Sequence, residues 1–339
     1  MISLFWRYSQ TRNHVLPIIS LLITAGLTYL TFNGSVYALI GVFIFAFLTY
    51  IETVTQLSFR APQRRKPMLE EEGWESLVHQ TLAGNINSYI HEATSRDLPT
   101  LIIIHGWTSA ASRMIGRSKI FIERGCSVIA VDLPNHGGSD PIDKWTAERA
   151  ASTVIESLNQ ISKSHPHLFE NGVCYYGHSM GGFIGLRISH RRDELVSNPE
   201  FLGWVLESPM TGYTEIFQET SKILHIPKTI QPLVLWRMMS QFNTLNHERP
   251  NISKLIETDS PNWGMTNEPT LLVQAANDER LGDTHYLRLQ ESHDAAGTRH
   301  LLTTKVMDDL RHSGCAVHEE RDVVVGQWLD QNSIHSSSV

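Results

Sequence analysis

Two apolar runs open the chain. Val15 to Phe32 and Val36 to Ile51 carry no charged residue, and Asn33-Gly34-Ser35 between them reads as a turn. Each run lies near the lower limit for crossing a bilayer, about 17–25 residues. The pattern predicts two transmembrane helices, a hairpin over residues 1–51. Residues 52–74 read as a linker, with Pro62, a basic cluster and Glu70-Glu71-Glu72-Gly73.

Beyond residue 75 the periodicities change. Loose alternation around Gly84-Asn85 predicts a β-hairpin, Val78 to Leu82 and Ile86 to His91. Leu101-Ile102-Ile103-Ile104 and Val128-Ile129-Ala130-Val131 are continuous apolar runs of the kind buried in a parallel sheet. A helical pattern passes through Met114, Ile115, Phe121 and Ile122 and closes at Gly125; another runs from about Ala147 to Ser164, with Val154, Leu158 and Ile161 on one face. Further strands are predicted at the run beginning Val173, at Leu202 to Leu206, Thr270 to Gln274 and His300 to Val306, with a last helix from Glu319 to Leu329. Strands alternating with helices imply an α/β domain over 75–330, a mostly parallel sheet with helices on both faces. Residues 211–268 interrupt it as an insertion of two or three short helices, rich in Met and large apolar side chains. It packs on the main body, closes as a lid over an apolar pocket, or does both. The tail 331–339 is polar.

Charge adds an orientation. Arg7 and Arg12 precede the first apolar run, Arg60, Arg64, Arg65 and Lys66 follow the second, and the turn has no Lys or Arg. The positive-inside rule places both ends, and the α/β domain, in the cytoplasm. A signal peptide cleaved near Val36-Tyr37-Ala38 and a re-entrant hairpin are the competing readings. Three cysteines, Cys126, Cys174 and Cys315, suit a reducing compartment. No basic cluster interleaved with aromatics marks the soluble part, so nucleic acid is not an expected partner. There is no His-Glu-x-x-His, no Cys-x-x-Cys and no Gly-rich dinucleotide fingerprint in the right context; neither metal nor cofactor is expected.

The candidate chemistry centres on Gly177-His178-Ser179-Met180-Gly181-Gly182, between a β-branched and aromatic strand and a helical pattern starting at Phe183. Gly-x-Ser-x-Gly in that setting is a nucleophile elbow: a sharp turn presents the serine, and its neighbours must be small. The backbone N–H of Met180 then faces the place where a tetrahedral oxyanion forms.

With His105-Gly106 after a strand and Asp132-x-Pro134-x-His136-Gly137-x-Ser139, this ordered set resembles the α/β-hydrolase superfamily, and within it esterases and monoacylglycerol-lipase-type enzymes. The resemblance covers about 75–330 and implies the α/β-hydrolase fold. It implies a chain order of serine, acid, histidine, which falls on Ser179, Asp278 after the Thr270 strand, and His312 before the last helix. Asp283 and Glu207 are rival acids, His318 a rival base. By the same resemblance, Trp107 N–H joins Met180 N–H in an oxyanion hole, and Trp107, His178, Trp236 and Met239 are candidates for the substrate pocket. Asn135 and Ala275 stand where such enzymes often have Gly.

The expectation is a membrane-anchored serine hydrolase of carboxylic esters, with tether and apolar insertion favouring lipid-like acyl substrates. A peptidase, amidase or acyltransferase would use the same triad, and a scaffold that kept the fold without activity is the non-enzymatic alternative.

Overall fold

The computed structural model describes residues 10–34, 36–62 and 66–334. Arg7, Arg64, Arg65 and the end of the tail, among the residues used above for topology and boundaries, lie outside them. The described residues divide into two units: one of residues 10–34, 36–61, 143–146 and 216–255, the other of 62, 66–142, 147–215 and 256–334.

The larger unit is built on one eight-stranded sheet. Its strands are β1 (Glu75–Thr81), β2 (Gly84–His91), β3 (Thr100–Ile104), β4 (Val128–Val131), β5 (Val173–His178), β6 (Phe201–Glu207), β7 (Thr270–Ala275) and β8 (Leu302–Met307), in the order β1-β2-β4-β3-β5-β6-β7-β8. β1 and β2 pair antiparallel, β2 meets β4 antiparallel, and β4, β3, β5, β6, β7 and β8 are parallel throughout. The continuous apolar runs are explained by burial on both faces: all five residues of β3 and all four of β4 are buried. One face is covered by helices α3 (Ile115–Ile122) and, at the chain's end, α9 (Glu319–Gln331), whose Phe121, Val325 and Trp328 join Leu101, Ile103, Val205 and Leu271 in the main core. The other face carries α4 (Ala147–Ser164) and α5 (Met180–His190). There α5 approaches so closely that a Cβ on Gly185 would stand 2.3 Å from the Tyr175 ring.

The chain leaves β3 towards β4 and then returns across β3 to β5. That reversal of winding opens a crevice at the carboxyl ends of β3 and β5, the usual place for a ligand in an open α/β sheet. Ile104 pairs with Gly177, which sets residues 105–107 beside 178–179.

One helix of this unit has no counterpart in the sequence reading: α8, Thr284–Ala295. Its buried positions are His285, Leu289, Ser292 and His293, so the inward face is largely polar and leaves no apolar period to detect.

The smaller unit contains α1 (Gln10–Phe32), α2 (Val36–Ser58) and α7 (Gln231–Leu245). α6 (Thr214–Ile223) starts in the sheet unit and runs into this one. A Cβ on Gly41 would come 2.8 Å from a methyl of Leu27, so α1 and α2 pack tightly at that level. Among the described residues only α2 is long and apolar enough to cross a membrane; the apolar part of α1, Pro17–Phe32, is shorter. Of the two spans expected from the sequence, one therefore meets the length and composition that a bilayer sets. α2 also continues seven residues past the apolar run, into the stretch read as linker. Ile51 and Val54 there pack with Phe217, Ile226 and Val234, and Arg237 forms two 2.8 Å hydrogen bonds to the Glu52 carboxylate. The insertion is thus divided: residues 216–255 belong with the amino-terminal helices and 256–268 with the sheet.

Candidate active site

Ser179 sits between β5 and α5 with φ 52° and ψ −115°, backbone angles that a non-glycine residue adopts only under strain. The surroundings hold it there. Ser179 N–H donates to Glu207 O at 3.0 Å, and Ser179 O accepts from the N–H groups of Gly182 and Met210. The flanking glycines are required by contact: a Cβ on Gly177 would lie 2.6 Å from Gly182 Cα, and one on Gly181 would lie 2.1 Å from Ile104 O.

Three side chains far apart in sequence meet here. His312 Nε2 lies 2.9 Å from Ser179 Oγ, and His312 Nδ1 lies 2.8 Å from Asp278 Oδ2. All three residues are buried. Asp278 follows β7, and His312 stands in the loop between β8 and α9. The other Asp278 oxygen accepts the N–H groups of Arg280 and Leu281, both at 2.9 Å. Burial works to raise the Asp278 pKa; the hydrogen bond with His312 and the backbone donors outweigh it, and the net shift is downward. The carboxylate stays ionised and presents an acceptor to His312 Nδ1, while Nε2 faces the serine hydroxyl.

The rival residues have other partners. Glu207 is buried at the end of β6 and takes a two-pronged ion pair from Arg117, at 2.8 and 2.5 Å, and the Tyr176 hydroxyl at 2.5 Å; Arg321 stands 3.5 Å away. Burial opposes this charge, but the two arginines hold the carboxyl well below its ordinary range. Asp283 is exposed at the start of α8. His318 caps α9 by accepting Arg321 N–H and reaches Asp309 at 3.3 Å.

The turn after β3 runs against the serine: a Cβ on Gly106 would stand 3.0 Å from Ser179 Cβ and 2.9 Å from His178 Nδ1. Two neutral histidines brace it. His105 Nε2 accepts Leu133 N–H at 3.0 Å, and His136 Nε2 accepts Thr108 N–H at 3.1 Å, one residue from Trp107. The Trp107 indole stands edge-on to His136 and is partly exposed. Met180 is the first residue of α5, so its N–H has no acceptor within the helix. His178, read above as a pocket residue, lies 2.9 Å through Nε2 from the backbone carbonyl of His312 and so props the loop that carries the imidazole. The last two pocket candidates, Trp236 and Met239, stand on α7 and line a cleft of about 540 Å³ formed within residues 236–253.

Sequence reasoning missed the Arg117–Glu207–Arg321 cluster and the His178 prop. A lone arginine on an amphipathic helix gives no sign of a carboxylate ninety positions away. Asn135 was visible only as a departure: it has φ 69°, a left-handed conformation that Asn tolerates, and its side chain accepts Ile142 N–H.

The bracing histidines predict an acid weakness. Desolvation is the largest cause in each case and lowers His105 to about 4, His136 to about 3 and His178 to about 3, from an ordinary 6.5. Between about pH 6.5 and 4 the unfolded chain therefore takes up protons that the folded one refuses. Stability falls as pH falls through that window, by up to about 1.4 kcal/mol per pH unit for each ring. Urea midpoints of the detergent-solubilised chain at pH 7, 6 and 5 should drop stepwise; equal midpoints would mean that the rings are not held neutral by the fold.

A family model described as "Alpha/beta hydrolase family" matches residues 101–328. A putative esterase/lipase of Haemophilus influenzae is 30% identical over 137 residues, 39% of this chain and 44% of the relative's length, so the match spans less than half of that protein. Esterase YjfP of Escherichia coli is 22% identical over 224 residues, 63% of this chain and 82% of its own. Among solved structures, an esterase from Pyrococcus furiosus superposes with a TM-score of 0.55 at 16% identity, covering 81% of this chain and 97% of that one. Thermogutta terrifontis esterase 2 gives 0.56 at 11% identity, covering 78% and 97%. At such identities the structural likenesses speak for the fold alone, while the family match spans two thirds of the chain and includes all three residues of the hydrogen-bonded chain. This chain belongs to the alpha/beta hydrolase family.

Proposed function

We propose that this protein is a membrane-anchored serine esterase, with lipid-like acyl esters as its substrate class. The observation that carries the chemistry is the chain of hydrogen bonds from Ser179 Oγ through His312 to Asp278. Serine is a poor nucleophile while its hydroxyl is protonated. In the proposed reaction Oγ attacks the ester carbonyl as His312 Nε2 takes the proton. Met180 N–H and Trp107 N–H receive the oxyanion, each donor lowering the barrier by about 3–4 kcal/mol. The tetrahedral intermediate collapses, His312 returns the proton to the departing alkoxide, and the acyl group remains on Ser179. Water enters, gives its proton to His312 and releases the acid by the same steps. Asp278 keeps the imidazole in one tautomer and balances its charge while protonated.

The anchor is α2 with α1 folded against it, and the basic residues flanking the apolar runs favour a cytoplasmic active site. The names carried by the H. influenzae and E. coli relatives agree with ester hydrolysis.

The test is a panel of p-nitrophenyl esters of rising acyl length, with p-nitroanilides of the same acids, offered to the detergent-solubilised full chain. Esters are expected to turn over, fastest at medium or long acyl length. Anilides should be slower by about 100-fold or more, since an amine leaving group demands more of His312 as acid. Anilide cleavage at a matching rate would favour an amidase; turnover of neither would favour a protein without activity.

A further inference from the structure

We propose that the helical insertion carries a second membrane contact: Ile223, Leu224, Leu233 and Trp236 form a patch that seats in the interfacial layer of the bilayer beside α2. This rests on the reading of α2 as a membrane helix.

The first observation is the register of α7 against α2. Arg237 pairs with Glu52, the two side chains being only 13% and 12% exposed, and Val234 packs with Ile51 and Val54. Further along, Lys144 Nζ donates to Gln56 O, Trp145 N–H donates to Phe59 O, and Thr146 donates to Asn246 at 2.9 Å. Thus 237 is level with 52, and 246 stands towards the 56–59 end. The two helices run in the same direction. Counted back at about 1.5 Å per residue, Leu233 is level with about residue 48 of α2.

The second observation is where α2 is free. Phe43, Ile44, Phe47 and Leu48 are exposed and, apart from Ala38, the buried positions of α2 start at Ile51. From Val36 to Leu48, before the insertion covers it, the apolar helix measures about 20 Å, well short of a hydrocarbon core of about 30 Å. A helix that crosses must draw its packing partner into the membrane boundary. The start of α7 therefore cannot stand off from the lipid.

The third is the chemistry of the segment brought to that level. Residues 222–225 and 227–229 are exposed, and Ile226 anchors the loop between them in the unit's core. Ile223 is 73% exposed and Trp236 66%, with Leu224 and Leu233 also exposed. Leu233 and Trp236, three positions apart, share one face of α7. Gln231 Nε2 donates to Ile226 O, which ties the loop to the start of that helix. Tryptophan is favoured at the headgroup level, and Lys228 beside the patch suits anionic headgroups.

The experiment uses the full chain with Cys315→Ser, reconstituted in phosphatidylcholine/phosphatidylglycerol nanodiscs with and without brominated acyl chains. Single cysteines introduced by Ile223→Cys, Trp236→Cys, Phe43→Cys and Asn251→Cys carry an environment-sensitive fluorophore. At 223 and 236, emission should be blue-shifted and at least about twofold quenched by brominated lipid, with little effect at 251. Quenching at 43 but not at 223 and 236 would overturn the patch while leaving the membrane helix in place. No quenching at 43 would refute the membrane reading itself, and the patch with it. Equal quenching at 251 would show wholesale immersion and overturn the assignment to these four residues.

Discussion

Replacing Ser179 by alanine is expected to lower ester turnover by about 10⁴-fold or more, with the fold intact. The substitution removes only Oγ. The backbone contacts that hold residue 179 at φ 52°, to Glu207, Gly182 and Met210, do not involve the side chain, so the elbow keeps its shape. What remains is the contribution of binding and of the two proposed oxyanion donors, which on their own leave catalysis of about 10³–10⁴ over water. The rate is measured with the best ester of the panel, alongside a urea midpoint to show that folding is unchanged. A variant within tenfold of the parent would move the nucleophile away from Ser179.

Asp278→Asn is expected to cost a similar amount, about 10⁴-fold in turnover, with substrate binding little changed. The reason lies in which oxygen has which partner. Oδ1 accepts two backbone N–H groups, from Arg280 and Leu281, so an asparagine would keep its carbonyl oxygen there and turn its NH₂ to His312. Nδ1 would become the acceptor and Nε2 would carry the hydrogen, the tautomer that cannot take a proton from Ser179. Steady-state kinetics should show kcat collapse at nearly constant KM. A nearly normal kcat would mean that another carboxylate orients the ring. Glu207 could fill that role only by leaving Arg117 without its carboxylate in the interior, which is costly.

Much of the sheet was readable because burial writes a simple code. β3 and β4 are covered on both faces, so they appear as unbroken apolar runs. The elbow was readable because only small residues fit beside its strand, as the contacts of Gly177 and Gly181 show. The polar work of the fold was not readable. α8 turns histidines and a serine inward, where periodicity expects leucines. The ion cluster at Glu207 and the prop from His178 to His312 join positions that only the folded sheet brings together. The division of the insertion was hidden for the same reason: it depends on a charge in α2, Glu52, meeting one in α7, Arg237. The length of α2 was underestimated because the helix outlasts its apolar run wherever the insertion covers it.

The reaction proposed for this protein requires that the acyl group pass through Ser179. Treatment of the full chain with a fluorophosphonate, followed by peptide mapping, tests that most directly. The account predicts one covalent adduct, on Ser179, absent from the Ser179→Ala variant. An adduct on another residue with Ser179 unmodified, accompanied by loss of esterase activity, would contradict it.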